Sequence, residues 1–131
     1  NALNYLGYTY ADLGTNLDEA ERLVVEALKI KPDDGYITDS LGWVYFKKGD
    51  YPRALKHLQR ASELVPDDPV IMEHLGDAYL KLNDPANALK TYQKAMTNRD
   101  RQKGKERDDP EKQKERKELQ MKIRQLKEKT Q

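Results

Sequence analysis

Tyr36-Ile37-Thr38-Asp39-Ser40-Leu41-Gly42-Trp43-Val44-Tyr45 is the stretch that decides the fold. Its core, Leu41-Gly42-x-x-Tyr45, recurs 34 residues later as Leu75-Gly76-x-x-Tyr79, and it occurs earlier as Leu6-Gly7-x-x-Tyr10. Ala54, Ala61 and Pro66 follow the middle copy. Ala20, Ala27 and Pro32 follow the first, and Ala88 and Ala95 follow the last. Three copies of one unit therefore stand in a row.

The spacing inside each copy is that of two short helices that cannot bury their apolar faces alone. Leu41, Val44 and Tyr45 fall at i, i+3 and i+4, one stripe of a helix, and Ala54, Leu58, Ala61 and Leu64 make the facing stripe of the next. Gly42, Gly76 and the repeated alanines are small where two backbones have to approach, so they read as packing positions. Asp68-Pro69 and Asp84-Pro85 put an acceptor at a helix cap and a proline in the first turn. Gly14, Gly49 and Asn83 supply residues that tolerate the left-handed conformation of a helix end. These marks predict helix pairs at 2–13 and 17–30, 35–48 and 51–64, and 69–82 and 85–98. Gly14 to Ala20 is one residue longer than Gly49 to Ala54, so Thr15-Asn16-Leu17 should bulge.

The pattern resembles the tetratricopeptide-repeat (TPR) family over residues 1 to about 96. The large aromatic that often opens the family's repeat is Leu3, Thr38 and Met72 here. The resemblance implies an all-α, right-handed α-solenoid of three TPR helix–turn–helix repeats, 1–32, 33–66 and 67–98. After it come a polar linker at 99–109 and a C-terminal charged amphipathic helix at 110–131. The wording of the middle repeat is similar to bacterial TPR proteins, many of them envelope lipoproteins, which favours the periplasmic side of a bacterial envelope over the cytoplasm.

The tail differs in composition from the repeats. Eleven basic and 15 acidic residues precede Arg99, and 13 basic and eight acidic follow from it. Asp100, Glu106, Asp108 and Asp109 interrupt the basic run, so nucleic-acid binding is not the preferred reading. Leu119, Ile123 and Leu126 form one narrow stripe, with Met121 off it, expected to cover the open side of the last repeat near Leu82, Leu89, Tyr92 or Met96, or to meet a partner.

Catalytic chemistry finds no footing. Cysteine is absent, which removes thiol catalysis, disulfides and thiolate metal sites. His57 and His74 lie in different helices without a ligand at metal spacing, and the acid pairs Asp33-Asp34 and Asp67-Asp68 read as helix caps. No enzyme activity, metal or cofactor is expected. No apolar run is long enough to span a membrane. Asn1 in first place suggests a piece of a longer protein, and Leu3, Leu13, Leu17 and Val25 are expected to leave apolar surface where an earlier repeat would stack.

In the TPR family the first helix of each repeat lines a concave, peptide-binding groove. Carried over position by position, that groove consists of Asn4, Tyr8 and Asp12, then Tyr36, Asp39, Trp43, Phe46 and Lys47, then Glu73, His74, Asp77 and Lys81. The family's two-carboxylate clamp for acidic C-termini needs cations. Asn4, Tyr8, Ser40, Val70 and His74 stand at its positions instead, so that ligand is not expected. Trp43 lies beside the stripe filled by Leu41, Val44 and Tyr45, and reads as an aromatic anchor on the groove side. With Asp12, Asp39, Glu73 and Asp77 around it, the implied function is a protein-interaction scaffold for an apolar or mildly basic segment. The alternative is a structural spacer or self-association module.

Overall fold

The helix pairs exist because most of their starts, and the stops of their first helices, are chemically specified. The computed structural model describes residues 1–102 and 109–130. Among them are seven helices and no strand: α1 (Ala2–Leu13), α2 (Leu17–Ile30), α3 (Gly35–Lys48), α4 (Tyr51–Leu64), α5 (Pro69–Lys81), α6 (Pro85–Arg101) and α7 (Pro110–Thr130). Asp34 accepts from the backbone N–H of Tyr36 at 2.9 Å and of Ile37 at 3.1 Å. Asp68 does the same for Val70 and Ile71, at 2.9 and 3.0 Å, while Asp50 and Asp84 each hold one N–H. These side chains satisfy donors that a helix start leaves without an internal partner.

The first helix of each repeat stops where a residue can turn left-handed. Gly14, Gly49 and Asn83 have φ of 72°, 85° and 60°. The extra residue after α1 is absorbed differently from expectation: Asn16 also adopts φ 49°, and Leu17 opens α2 instead of bulging. Two left-handed residues in three complete the turn.

The chain forms two compact units, Asn1–Pro66 and Asp67–Gln131. In the first, α1 packs on α2, α3 on α4, and α3 also lies against α1 and α2. Ala11, Ala20, Val24, Ala27, Val44, Ala54, Leu58 and Ala61 are wholly buried. A Cβ on Gly42 would stand 2.7 Å from Leu58 Cγ, so only glycine lets α3 approach α4 this closely. On α1 and α2, Tyr5, Leu6, Leu13 and Ile30 are exposed, while Leu3, Leu17 and Val25 are half-buried.

In the second unit α5 packs on α6, and α7 lies against α6. Leu119 and Leu126 join Met72, Ala88, Tyr92 and Ala95 in one buried cluster, flanked by Tyr79, Leu89, Met96 and Ile123. The tail's apolar stripe is thus covered within the chain itself, and Met121 is left exposed. α6 runs to Arg101, three residues beyond the expected end. Asn98 is buried and Arg99 pairs with Glu115 of α7 at 3.1 Å, which holds the extra turn helical. Of the expected polar linker, 99–101 are helical and 103–108 lie outside the described residues.

Gly76→Ala should lower the stability of this unit. The new Cβ would stand 2.5 Å from the ring of fully buried Tyr92, and a rigid ring yields less than an aliphatic tip. Overpacking outweighs the gain in helix propensity, leaving a net loss of about 1–2 kcal/mol. Leu119→Ala should cost about 2–5 kcal/mol through its cavity. Urea midpoints check both, and an unchanged midpoint for either variant would contradict this packing.

Candidate functional site

The face read as a ligand groove is built differently in the two units. In the first, Trp43 on α3 is buried at 8% exposure. Its indole N–H donates to Asp12 Oδ1 on α1 at 3.3 Å. Phe46 stacks on the indole with ring centroids 4.6 Å apart, Tyr51 meets Phe46 edge-on, and the Lys47 ammonium stands 5.3 Å from the indole centroid. One charged residue of each sign therefore borders a continuous aromatic stack.

The solvated-anchor reading of Trp43 does not hold. Its side chain belongs to the packing between α1 and α3, because α3 of one repeat leans on the first helix of the repeat before it. Asp39 and His74 are likewise buried, at 6% and 7%. Tyr36 is 56% exposed, Asp12 and Lys47 are exposed, and Tyr8, Phe46 and Asn4 are half-buried. At the predicted groove positions of this unit's first helices, Tyr36 and half-buried Tyr8, not Trp43, are the aromatics that reach the surface.

Across the same unit, Lys48 bridges Asp18 and Glu21 of α2, each at 2.7 Å, and Glu21 also accepts from the Tyr45 hydroxyl at 3.3 Å. Hydrogen bonds donated to Asp18 and Glu21 hold the Lys48 ammonium above its ordinary range, and the bond accepted from Lys48 lowers the Asp18 carboxyl. Arg53 lies over the Tyr45 ring at 5.0 Å, and His57 stacks on the same ring at 5.4 Å. Burial, reinforced by Lys56 and Arg53, pushes the His57 imidazole below its usual value.

In the second unit the carboxylates read as groove charges are already engaged. Lys122 of α7 reaches Glu73 Oε2 at 2.9 Å and Asp77 Oδ1 at 3.1 Å. Arg99 stands 3.6 Å from the other Glu73 oxygen. The Tyr92 hydroxyl donates to Asp77, and burial above all drives its own titration upward. Glu73 and Asp77 are therefore partners of the C-terminal helix and not free rim charges. The physical reason is the register of α7: burying Leu119 and Leu126 turns Lys122 toward α5. Lys81 and Leu80 remain exposed and Val70 half-buried. Sequence reasoning passed over Lys122, although its place between Leu119 and Ile123 marks it as sharing the buried face. No group of three or more potential metal ligands occurs among the described residues.

Residues 42–83 match a family model described as TPR repeat, and residues 71–100 match one described as tetratricopeptide repeat. A TPR repeat-containing protein of Pseudomonas aeruginosa is 45% identical over 60 residues, which make up 46% of this chain and 10% of that protein. Among solved structures, the type III secretion translocator chaperone SycD of Yersinia enterocolitica aligns with a TM-score of 0.81 at 16% identity, over 98% of this chain and 83% of SycD. PcrH of Pseudomonas aeruginosa, in complex with the chaperone-binding region of PopD, aligns at 0.82 and 16% identity, over 99% and 92%. The Sgt2 TPR domain of Aspergillus fumigatus follows at 0.77 and 19%, over 98% and 77%. At such identities the shared property is the all-α helical-repeat fold.

Trp43→Ala should destabilise the first unit by about 3–5 kcal/mol, the cost of emptying a buried aromatic site. Chemical denaturation followed by circular dichroism measures it, and a loss below about 1 kcal/mol would return Trp43 to the surface. For His57 the folded state favours the neutral ring, so the unfolded chain binds more protons near the ordinary value of 6.5. Stability should then fall as pH drops through about 6.5, and His57→Gln should remove that part of the acid loss. Melting temperatures of both proteins between about pH 7.5 and 5.5 check the sign, and parallel curves would refute it.

Proposed function

We propose that this tetratricopeptide-repeat protein is a binding scaffold that holds an apolar or mildly basic polypeptide segment against the first helices of its repeats, and that it acts by binding and not by catalysis. The observation that carries the reading is the set of aromatics that the first helices present, exposed Tyr36 and half-buried Tyr8, together with the Trp43–Phe46 stack that Asp12 and Lys47 border. Large aromatics on a preorganised floor gain contact area at little cost in side-chain entropy. PcrH, which shares the fold, has been solved with the chaperone-binding region of PopD, and SycD with a peptide of the translocator YopD, and this supports a polypeptide ligand. Of the two ligand chemistries, the apolar one is favoured, because Asp39 is buried and Glu73 and Asp77 are paired.

A second reading, self-association, draws on Tyr5 and Leu13, which are 75% and 69% exposed. Sedimentation of the chain and of Tyr5→Ser/Leu13→Ser tests it: an unchanged monomeric mass in both removes this reading.

An array of immobilised 15-residue peptides, graded from apolar through basic to acidic, tests the leading reading. Tyr36→Ala combined with Tyr8→Ala should weaken the apolar and basic binders at least about tenfold, roughly the loss of one good aromatic contact, and leave the melting curve nearly unchanged. Peptides ending in acidic pairs should not bind. Identical array patterns for the double variant and the native chain would sink the proposal.

A further inference from the structure

Two charges of opposite sign reach the Trp43 ring from different helices. On α1, Asp12 Oδ1 accepts the indole N–H at 3.3 Å. On α3, the Lys47 ammonium stands 5.3 Å from the indole centroid. Both side chains are exposed, and neither pairs with an opposite charge among the described residues. That sets Asp12 apart. The other carboxylates of the unit are buried, as Asp39 is, cap a helix, as Asp34 does, or lie within an ion pair with Arg22, Lys48, Arg53 or Arg60.

The place of Asp12 along its helix sharpens the contrast. It stands in the last turn of α1, where the helix dipole presents its negative end, and that turn holds no basic residue. The last turn of α3 holds Lys47 and Lys48 instead. A carboxylate at a helix C-terminus is unfavourable by itself, and a hydrogen bond from a neutral indole leaves its charge in place. An asparagine carbonyl would accept the same N–H without that cost. The end of α1 is therefore a patch of uncompensated negative charge, and Lys47, at the same ring, is its positive counterpart.

We propose that the segment held by this face is a helix with a basic residue, an apolar pair and an acidic residue on one side, the basic residue meeting Asp12 and the acidic one Lys47. The inference rests on the scaffold reading above and specifies the ligand that it takes. α1 and α3 pack on each other, so their axes lie about 8–10 Å apart. A helix presents residues i, i+3, i+4 and i+7 on one face, about 10.5 Å from end to end. An extended chain reaches about 7 Å at i+2 with no apolar residue between on that face, and overshoots to about 13 Å at i+4. Like charges are rejected: a second basic residue would face Lys47, and a second acid would face Asp12 and the negative end of α1.

The probes are four fluorescein-labelled peptides of one helical frame, with leucine at i+3 and i+4, added to the full chain and read by fluorescence anisotropy. Positions i and i+7 carry Lys and Glu, two Lys, two Glu, or two Ser. The Lys/Glu peptide should bind about tenfold more tightly than the Ser/Ser one, the product of two exposed ion pairs at about threefold each. That excess should largely vanish in about 1 M salt. Asp12→Asn, which keeps an acceptor for the indole N–H, and Lys47→Gln should each lower affinity for the Lys/Glu peptide about threefold. Replacing the peptide's lysine by serine should remove the effect of Asp12→Asn, and replacing its glutamate that of Lys47→Gln, as double-mutant cycles read. The peptide series on the native chain needs no variant to fold. Equal affinity for all four peptides, or tighter binding of a like-charged one, would overturn this inference and leave the scaffold reading standing. Binding by none of the four would overturn both.

Discussion

The closeness of paired helices is the constraint on which everything else in this protein depends. At Gly42 and Gly76 the neighbouring helix offers Leu58 and the Tyr92 ring at distances that leave no room for a Cβ. Because those contacts set the separation within a pair, they also set which side chains point along the pair and which point to the next. Alanine at 54, 61, 88 and 95 extends the same rule along the second helices, each of them wholly buried. Small residues here are the reason that large ones elsewhere have defined neighbours.

That constraint is local, and it is why so much of the fold could be read from residue spacing. Leu-Gly-x-x-Tyr and the alanines place each pair, and Asp34, Asp68 and Asp84 place its starts, all within a few residues in sequence. Trp43 shows where such reading stops. Its helix is correct and its face is correct, but its exposure depends on α1, whose Asp12 takes the indole proton from 31 residues away. Glu73 and Asp77 fail for the same reason at longer range, since Lys122 lies 49 and 45 residues on. Their positions matched a ligand face, and nothing near them in sequence announced an internal partner.

The two units solve the same problem with different chemistry. The first covers the side of a repeat with stacked rings, tied down by one indole hydrogen bond and by the Lys48 bridge to α2. The second covers it with a helix that carries few apolar residues and many charges, so ion pairs do much of the positioning. Stacked rings lose little when salt is added, whereas ion pairs near the surface are screened. Lys122, with partners only 18% exposed, is shielded better than the Asp100–Arg116 pair, at 43% and 32%. Ionic strength thus acts unevenly on the two units.

The solitary tryptophan carries an optical consequence. Trp43 is the only one in the chain, it is buried, and its indole N–H is held by a carboxylate. Its emission therefore reports on residues 1–66 alone, with a maximum shifted to the blue of a hydrated indole. The second unit has no indole, and its fully buried Tyr92 sits against Asp77, an acceptor that quenches phenol emission. Tryptophan emission from this protein is accordingly a record of one half of it, which makes the aromatic stack a built-in lamp for following the first unit by itself.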